Sequence, residues 1–198
     1  MYRLTFLPFV GKHYAKGGIF GKRIMILGDS HYGSEPDAMI TNKVMGWYLD
    51  DSVEREGWMN TFLKFERAMV GHSTDHNETL SIWNSLLFYN YLQVLLDGPR
   101  EAGTKQQYKD SEAAFFEVLE KYQPDAIIVW GKRLWENIPW TRWTEYPTLK
   151  FSDGSMIDNG SYTLSNGHKV KVMCSYHPSV GYDWGYWSMI IAEFLKTV

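Results

Sequence analysis

Four apolar runs along the chain predict the strands of a buried sheet. Two of the runs begin on a charged residue, Arg23 and Asp125, and the last contains Lys171; their other positions are uncharged. Runs of this length without polar alternation are typical of strands buried on both faces, as in parallel sheets covered by helices. The predicted strands cover residues 23–28, 86–89, 125–131 and 170–174.

Between these strands, apolar residues recur every three or four positions, which predicts amphipathic helices with buried aromatic stripes. Residues 35–71 hold two such patterns, the second ending near Gly71. Further helices are predicted over 106–122, from Lys132 onward and over 184–196. Alternating strands and helices predict an α/β protein with right-handed crossovers and a parallel sheet.

The remaining segments are predicted to connect or extend this core within a single domain, residues 1–198. We expect residues 1–21 to form a lead-in that folds over the site as a loop, and residues 98–100 to form a turn. Residues 151–176 predict a β-hairpin whose second arm becomes the last strand. Its turn is assigned to Asn166-Gly167, the strongest signal for a two-residue hairpin turn.

The end of the first predicted strand carries residues that suit an active site. Asp29, Ser30, His31 and Tyr32 follow directly after Gly28. Four such residues in a row exceed what capping a helix requires, although capping is the alternative interpretation. Ligands of parallel sheets bind just beyond the carboxyl ends of the strands. We therefore expect a functional site at this edge.

Two later strand ends add an amide and an imidazole. Asn90 follows the second strand, where an amide could either read a nucleobase edge or tie down its own turn. His177 and Ser179 follow the fourth strand. With Asp29, these groups can converge without a metal. His177 suits polarising a leaving group, and Asp29 suits stabilising a cationic or water-attacked centre.

Composition narrows the class of protein. The chain has 198 residues, a formal net charge of −3 and one cysteine, Cys174. This composition excludes an internal disulfide and a cysteine-based zinc site, and it gives no strongly basic footprint for nucleic acid. No segment approaches 20 apolar residues. We expect a cytoplasmic monomer that does not associate with membranes.

Two polar stretches are open to more than one interpretation. His72, Asp75 and His76 contain possible metal ligands, but no third ligand has a convincing spacing, which favours a solvated loop and no metal. Residues 132–143 interleave basic and aromatic side chains. That stretch could hold a phosphate backbone or form a solvated helix face.

Four motifs, in order between residues 23 and 180, resemble those of the uracil-DNA glycosylase superfamily. Residues 27–33, Leu-Gly-Asp-Ser-His-Tyr-Gly, are similar to the family's Gly-x-x-Pro-Tyr or Gly-Glu-x-Pro-Gly loop. Asn90 is similar to its base-reading asparagine. The other two motifs are residues 124–132, which include Gly131-Lys132, and residues 176–179, Tyr-His-Pro-Ser.

The resemblance implies a three-layer α/β/α fold with a four-stranded parallel sheet and no cofactor. It also implies hydrolysis of the N-glycosidic bond of a damaged base flipped out of DNA. By this resemblance, Asp29 would orient water or stabilise the sugar cation, and His177 would hydrogen-bond the leaving base. The implied substrate-binding residues are Gly28, Ser30, His31, Tyr32, Asn90 and Ser179.

The chain departs from the family pattern at several positions. His31 stands where the family usually has proline, and Ser30 stands where its best-known branch has aspartate. Asp29 matches the acidic second position of other branches. Residues 180–184 contain no arginine or lysine to bind phosphate.

The sequence leaves two alternative functions open. One is a non-catalytic member of the fold that binds a nucleotide or nucleic acid. The other is a GDSL-type (SGNH) ester hydrolase with Ser30 as nucleophile and His177 as base. The aspartate of such a triad would stand three residues before His177, where this chain has Cys174. The asparagine that would supply the oxyanion hole would fall near Lys132 and is also absent. We therefore predict that Ser30 is not acylated.

Overall fold

The computed structural model describes residues 4–98, 101–151, 154–179 and 181–198. The turn predicted at 98–100 therefore lies largely outside the described residues. The helices are α1 (Ile40–Leu49), α2 (Met59–Val70), α3 (His76–Trp83), α4 (Lys105–Tyr122), α5 (Lys132–Trp135) and α6 (Trp184–Lys196). The strands are β1 (Phe9–Val10), β2 (Ile24–Gly28), β3 (His31–Tyr32), β4 (Leu86–Asn90), β5 (Leu95–Leu96), β6 (Ala126–Trp130), β7 (Trp143–Glu145), β8 (Leu149–Lys150), β9 (Met156–Ile157), β10 (Asn159–Thr163) and β11 (Lys169–Ser175).

The main sheet has the strand order β1-β4-β2-β6-β11-β10-β7. Its four central strands, β4, β2, β6 and β11, are parallel to one another. They contain the four predicted apolar runs, so the prediction of a parallel core is confirmed. The hairpin strand β10 pairs with β11, and two strands that were not predicted extend the sheet: β1 beside β4 and β7 beside β10, each antiparallel to its neighbour.

Side chains of the central strands point alternately to two apolar clusters on opposite faces of the sheet. In β2, Ile24 and Ile26 pack in one cluster with residues of α1, α2, α3 and α6. Met25 and Leu27 pack in the other cluster with residues of α4 and α5. Helices thus cover both faces of a largely parallel sheet, which is compatible with a three-layer α/β/α architecture.

The described part of the lead-in, residues 4–21, takes a different position from the one predicted. Phe9 and Val10 pair with β4 at the edge of the sheet. Before them, the backbone N–H groups of Thr5 and Phe6 donate to Oε1 of Gln93. The expectation of a loop over the site is wrong for these residues, since none of them lines the cleft described below.

The hairpin of β10 and β11 is present, but its turn is longer than predicted. Strand pairing ends at Thr163 and Lys169, and the N–H of Leu164 donates to the carbonyl of His168 at 2.8 Å. The turn therefore spans residues 165–167. Gly167 takes a φ of 84° there, a conformation typical of three-residue hairpin loops that end in glycine.

The helices on one face share a buried carboxylate, Glu66 of α2, which is fully inaccessible. Its Oε2 accepts hydrogen bonds from the Tyr48 hydroxyl at 2.7 Å and from Trp83 Nε1 at 2.9 Å. Its Oε1 accepts from the hydroxyls of Thr74 at 2.5 Å and Thr79 at 2.7 Å. One carboxylate therefore ties together α1, α2, α3 and the segment that precedes α3.

Loss of this carboxylate should destabilise the fold. We expect Glu66→Ala to lower the free energy of unfolding by about 3 kcal/mol or more, because three buried donors and one partly buried donor lose their acceptor. Glu66→Gln keeps the shape and should cost less. Urea denaturation measures both, with Glu193→Ala on the exposed face of α6 as the control. A loss below about 1 kcal/mol in Glu66→Ala would contradict this role.

No helix among the described residues is both long and apolar enough to cross a lipid bilayer.

Candidate functional site

A cleft of about 1070 Å³ lies at the carboxyl ends of the central strands. Its volume is at the upper end of the range for small-molecule sites. The strand ends place every site residue named from the sequence on its lining. These residues are Gly28, Asp29, Ser30, His31, Tyr32, Asn90, His177 and Ser179.

Backbone pairing holds together the two loops that follow β2 and β4. The N–H of Tyr91 donates to the carbonyl of Gly28, and the N–H of Leu92 donates to the carbonyl of Asp29, both at 2.9 Å. Beyond them, β3 and β5 form a small parallel sheet. This pairing positions Asp29 through Tyr32 along the cleft.

Gly28 is required by the close approach of Asn90. A Cβ on Gly28 would lie 2.1 Å from Oδ1 of Asn90, which is well inside van der Waals contact. The glycine therefore allows the amide to lie directly against the backbone of β2. This contact explains why the first apolar run ends in glycine.

The amide nitrogen of Asn90 is engaged within the protein. Its Nδ2 donates to the carbonyl of Ser30 at 3.0 Å and lies 3.2 Å from Nδ1 of His31. This geometry relates to both interpretations of Asn90. The amide ties down the neighbouring loop, as one of them expects, and it also lines the cleft, as reading a base requires. Reading a base with Nδ2 would require these contacts to open.

His31 is a buried imidazole, 5% exposed. Nδ2 of Asn90 lies 3.2 Å from Nδ1 and 3.3 Å from Nε2 of the ring, and Nε2 shares a hydrogen bond with Oγ1 of Thr41 at 2.8 Å. Phe6 packs edge-on against the ring. Burial lowers the pKa of His31 to about 4, so the ring is neutral at neutral pH.

This pKa predicts acid sensitivity of the fold. Because the unfolded ring titrates near 6.5 and the folded ring near 4, the unfolded state binds more protons between these pH values. Stability should fall by up to about 3 kcal/mol as the pH drops from about 6.5 to 4. Urea denaturation across this range should show a shallower loss for His31→Gln. His72→Gln should make the loss no shallower, because a hydrogen bond to Glu78 raises the pKa of His72 instead of lowering it. Equal slopes for wild type and His31→Gln would contradict the prediction.

Asp29 is 8% exposed, and both of its carboxylate oxygens are engaged. Oδ1 accepts from the Tyr108 hydroxyl at 2.8 Å. Oδ2 accepts from Nε and Nη2 of Arg133 at 2.8 and 2.5 Å. Its negative charge is therefore offset by a neighbouring guanidinium, which the sequence interpretation did not foresee.

His177 is exposed to the cleft beside Gly131. A Cβ on Gly131 would lie 3.4 Å from Cβ of His177, and the glycine has a φ of 96°. Trp130 packs edge-on against the imidazole with ring centroids 6.0 Å apart. Desolvation by the surrounding protein lowers the pKa of His177, an effect that Asp29 opposes and Arg133 reinforces. The ring is therefore neutral at pH 7.

Aromatic side chains form much of the cleft wall. Trp47 of α1, Trp58 before α2 and Phe62 of α2 line it, together with Phe88 and Trp130 from the sheet. Flat rings such as these provide stacking surfaces for planar heterocycles. The sequence interpretation assigned the helical aromatic stripes to the core. That assignment is incomplete, since 53% of Trp47 is exposed.

Two cations from the basic and aromatic stretch lie at the site. Lys132 and Arg133 line the cleft, whereas Arg142 pairs with Glu120 at 2.7 Å. The basic and aromatic stretch 132–143 is thus divided between two environments. A lysine from α2 contacts the loop after β11, since Nζ of Lys64 donates to the Ser179 carbonyl at 2.8 Å.

The histidines considered as metal ligands lie elsewhere. His76 begins α3 with Asp75 as its N-cap, and His72 contacts Glu78 at 2.6 Å. Within the described parts of the chain, no group of three or more histidine, cysteine or acidic residues is arranged to hold a metal ion.

No protein-family model matches the chain, and no curated protein matches it either. The fold and the cleft therefore define the class of protein. It is an α/β protein with a largely parallel sheet and an aromatic cleft at the carboxyl edge. A carboxylate, an imidazole, an amide and two cations meet in that cleft.

Proposed function

We propose that the protein is a uracil-DNA glycosylase-like hydrolase that cleaves the N-glycosidic bond of a base flipped out of DNA. The supporting observation is that four separate sequence motifs supply the lining of one cleft. Asp29, Asn90 and His177 lie there among aromatic walls. A planar base can stack on such walls while polar groups contact its edge and the sugar.

The reaction separates charge, and the cleft contains groups for both parts. As the C1′–N bond breaks, its electron pair stays on the base, and the sugar becomes cationic. The N–H of His177 would donate to the base oxygen, and the carboxylate of Asp29 would favour the cation. Water then forms the new bond to C1′. The proton it loses passes to Asp29 and finally to the released base.

Base release tests the proposal directly. Oligonucleotides containing uracil, hypoxanthine or xanthine, single-stranded and in duplex, are incubated with the protein at low salt. Free base is then quantified. Release of any of these bases supports the proposal, and absence of release from all of them contradicts it.

A second candidate is a protein that binds a nucleotide without hydrolysing it. The observation in its favour is the engagement of both Asp29 oxygens by Tyr108 and Arg133. A carboxylate that already accepts three hydrogen bonds is a weaker acceptor for a proton from water. Saturable binding of the same oligonucleotides without base release would favour this candidate.

The ester hydrolase interpretation receives little support from the geometry around Ser30. Its hydroxyl is buried and has no hydrogen-bond partner among the described residues, so no imidazole is positioned to activate it. We expect no labelling of Ser30 by a fluorophosphonate probe. Labelling that Ser30→Ala abolishes would favour the esterase.

A further inference from the structure

Arg133 presents a partly exposed guanidinium at the cleft. Nε and Nη2 contact Asp29, and 43% of the side chain is exposed. The hydroxyl of Tyr108, which donates to the same carboxylate, lies close to the guanidinium. The guanidinium is therefore anchored by Asp29, while part of it remains exposed.

The local charge of the cleft is opposite in sign to that of the chain. The whole chain carries a formal charge of −3. Among the described residues that line the cleft, Asp29 is the only carboxylate, whereas Lys132 and Arg133 are both cations. The lining is thus net positive and favours an anionic ligand.

The anchoring of Arg133 suits recognition of a phosphate group. A guanidinium presents paired N–H donors that match two phosphate oxygens, and it stays charged at all relevant pH values. Asp29 is buried and also hydrogen-bonded to Tyr108. This support holds the guanidinium in one orientation, which reduces the entropy lost when an anion binds.

The position of Arg133 relates this anion site to the rest of the cleft. Arg133 lies close enough to His177 and Tyr32 to interact electrostatically with both. An anion on the exposed part of the guanidinium would therefore lie beside the imidazole assigned to the leaving base. A nucleotide carries a base and a phosphate within one molecule, and the cleft volume of about 1070 Å³ accommodates both.

We infer that Arg133 binds the phosphate group of the nucleotide that occupies the cleft. The inference rests on the proposed function in taking a nucleotide as the ligand. It goes further by naming the phosphate ester as a required part of that ligand. A nucleoside or free base should therefore bind weakly, and Asp29 and Tyr108 serve as positioning residues for the guanidinium.

Calorimetric titration tests this inference with 2′-deoxyuridine and its 5′-monophosphate as probes. We expect wild type to bind the monophosphate about tenfold or more tightly than the nucleoside. Arg133→Gln should remove that difference and leave nucleoside binding unchanged. Arg133→Lys should keep part of it, because lysine retains the charge without the paired donors.

Arg142→Gln is the matched control. Arg142 is exposed to a similar degree, 45%, and also pairs with a carboxylate, but it does not line the cleft. This variant should behave as wild type. The inference would be overturned if Arg133→Gln still bound the monophosphate more tightly than the nucleoside. It would also be overturned if wild type bound neither the monophosphate nor the oligonucleotide more tightly than the nucleoside.

A single-stranded oligonucleotide containing one uracil distinguishes the source of the phosphate. If the oligonucleotide shows the Arg133 dependence and the monophosphate does not bind, the phosphate belongs to the DNA backbone and the inference stands. Base release is measured on the same samples. Arg133-dependent binding without base release would contradict the proposed function alone, whereas base release with unchanged binding in Arg133→Gln would contradict this inference alone.

Discussion

Replacing His177 with alanine is expected to lower the rate of base release by about a hundredfold or more. The imidazole is neutral at pH 7 because desolvation lowers its pKa, so one ring nitrogen carries a proton. That N–H would stabilise the negative charge that develops on the leaving base. This charge is absent from the bound substrate, so the substitution should lower kcat and leave the affinity for uracil-containing DNA nearly unchanged.

A second histidine provides the control for this prediction. His168 is half-buried and contacts the carbonyl of Pro124 at 2.8 Å, away from the cleft. His168→Ala should therefore retain the wild-type rate of base release. Equal rates for wild type and His177→Ala would exclude His177 from the reaction. A loss of DNA affinity that accounts for the whole effect would instead make His177 a binding residue.

Replacing Asp29 with asparagine is also expected to lower base release by about a hundredfold. Asparagine keeps the size of the side chain and one oxygen that can accept from Arg133, but it removes the negative charge. The cationic sugar then loses the carboxylate that stabilises it, and the positive charge of Arg133 is no longer offset. Asp29 raises the pKa of His177 and Arg133 lowers it. The same substitution should therefore shift that pKa further down, which NMR titration of the imidazole measures.

Asp125 offers a matched control because it is also a carboxylate paired with an arginine. It contacts Nη2 of Arg23 at 2.7 Å and does not line the cleft. Asp125→Asn should leave base release and the pKa of His177 unchanged. Full activity in Asp29→Asn would contradict a catalytic role for Asp29. Only its role in positioning Arg133 would then remain.

Local patterns predicted the regular elements well. The last helix, predicted over 184–196, agrees with α6, and the helix predicted over 106–122 agrees with α4 to within one residue at its start. Apolar runs and helical periodicity carry this information because burial on one or both faces restricts side chains position by position. The hairpin turn was assigned less well, since Asn166-Gly167 indicates a turn but does not decide its length.

The sequence also predicted that the candidate site residues would lie close together. Glycine and polar residues after each strand indicated where Asp29, Asn90 and His177 would meet, because parallel strands end at one edge. Helical periodicity could not distinguish aromatic residues of the core from those that line the cleft. Phe62 packs against both Phe88 and Trp130 and also lines the cleft, so the same helical stripe serves both purposes.

The sequence by itself determined the four central strands, most of the helices and the edge at which the polar residues gather, because these depend on residues close together in the chain. Only the tertiary structure decided which charges meet there. Arg133 contacts Asp29 across 104 positions of sequence, and Asn90 lies against Gly28 because β4 is the neighbour of β2. Strand order sets these contacts, and strand order depends on the packing of the whole sheet rather than on any local pattern.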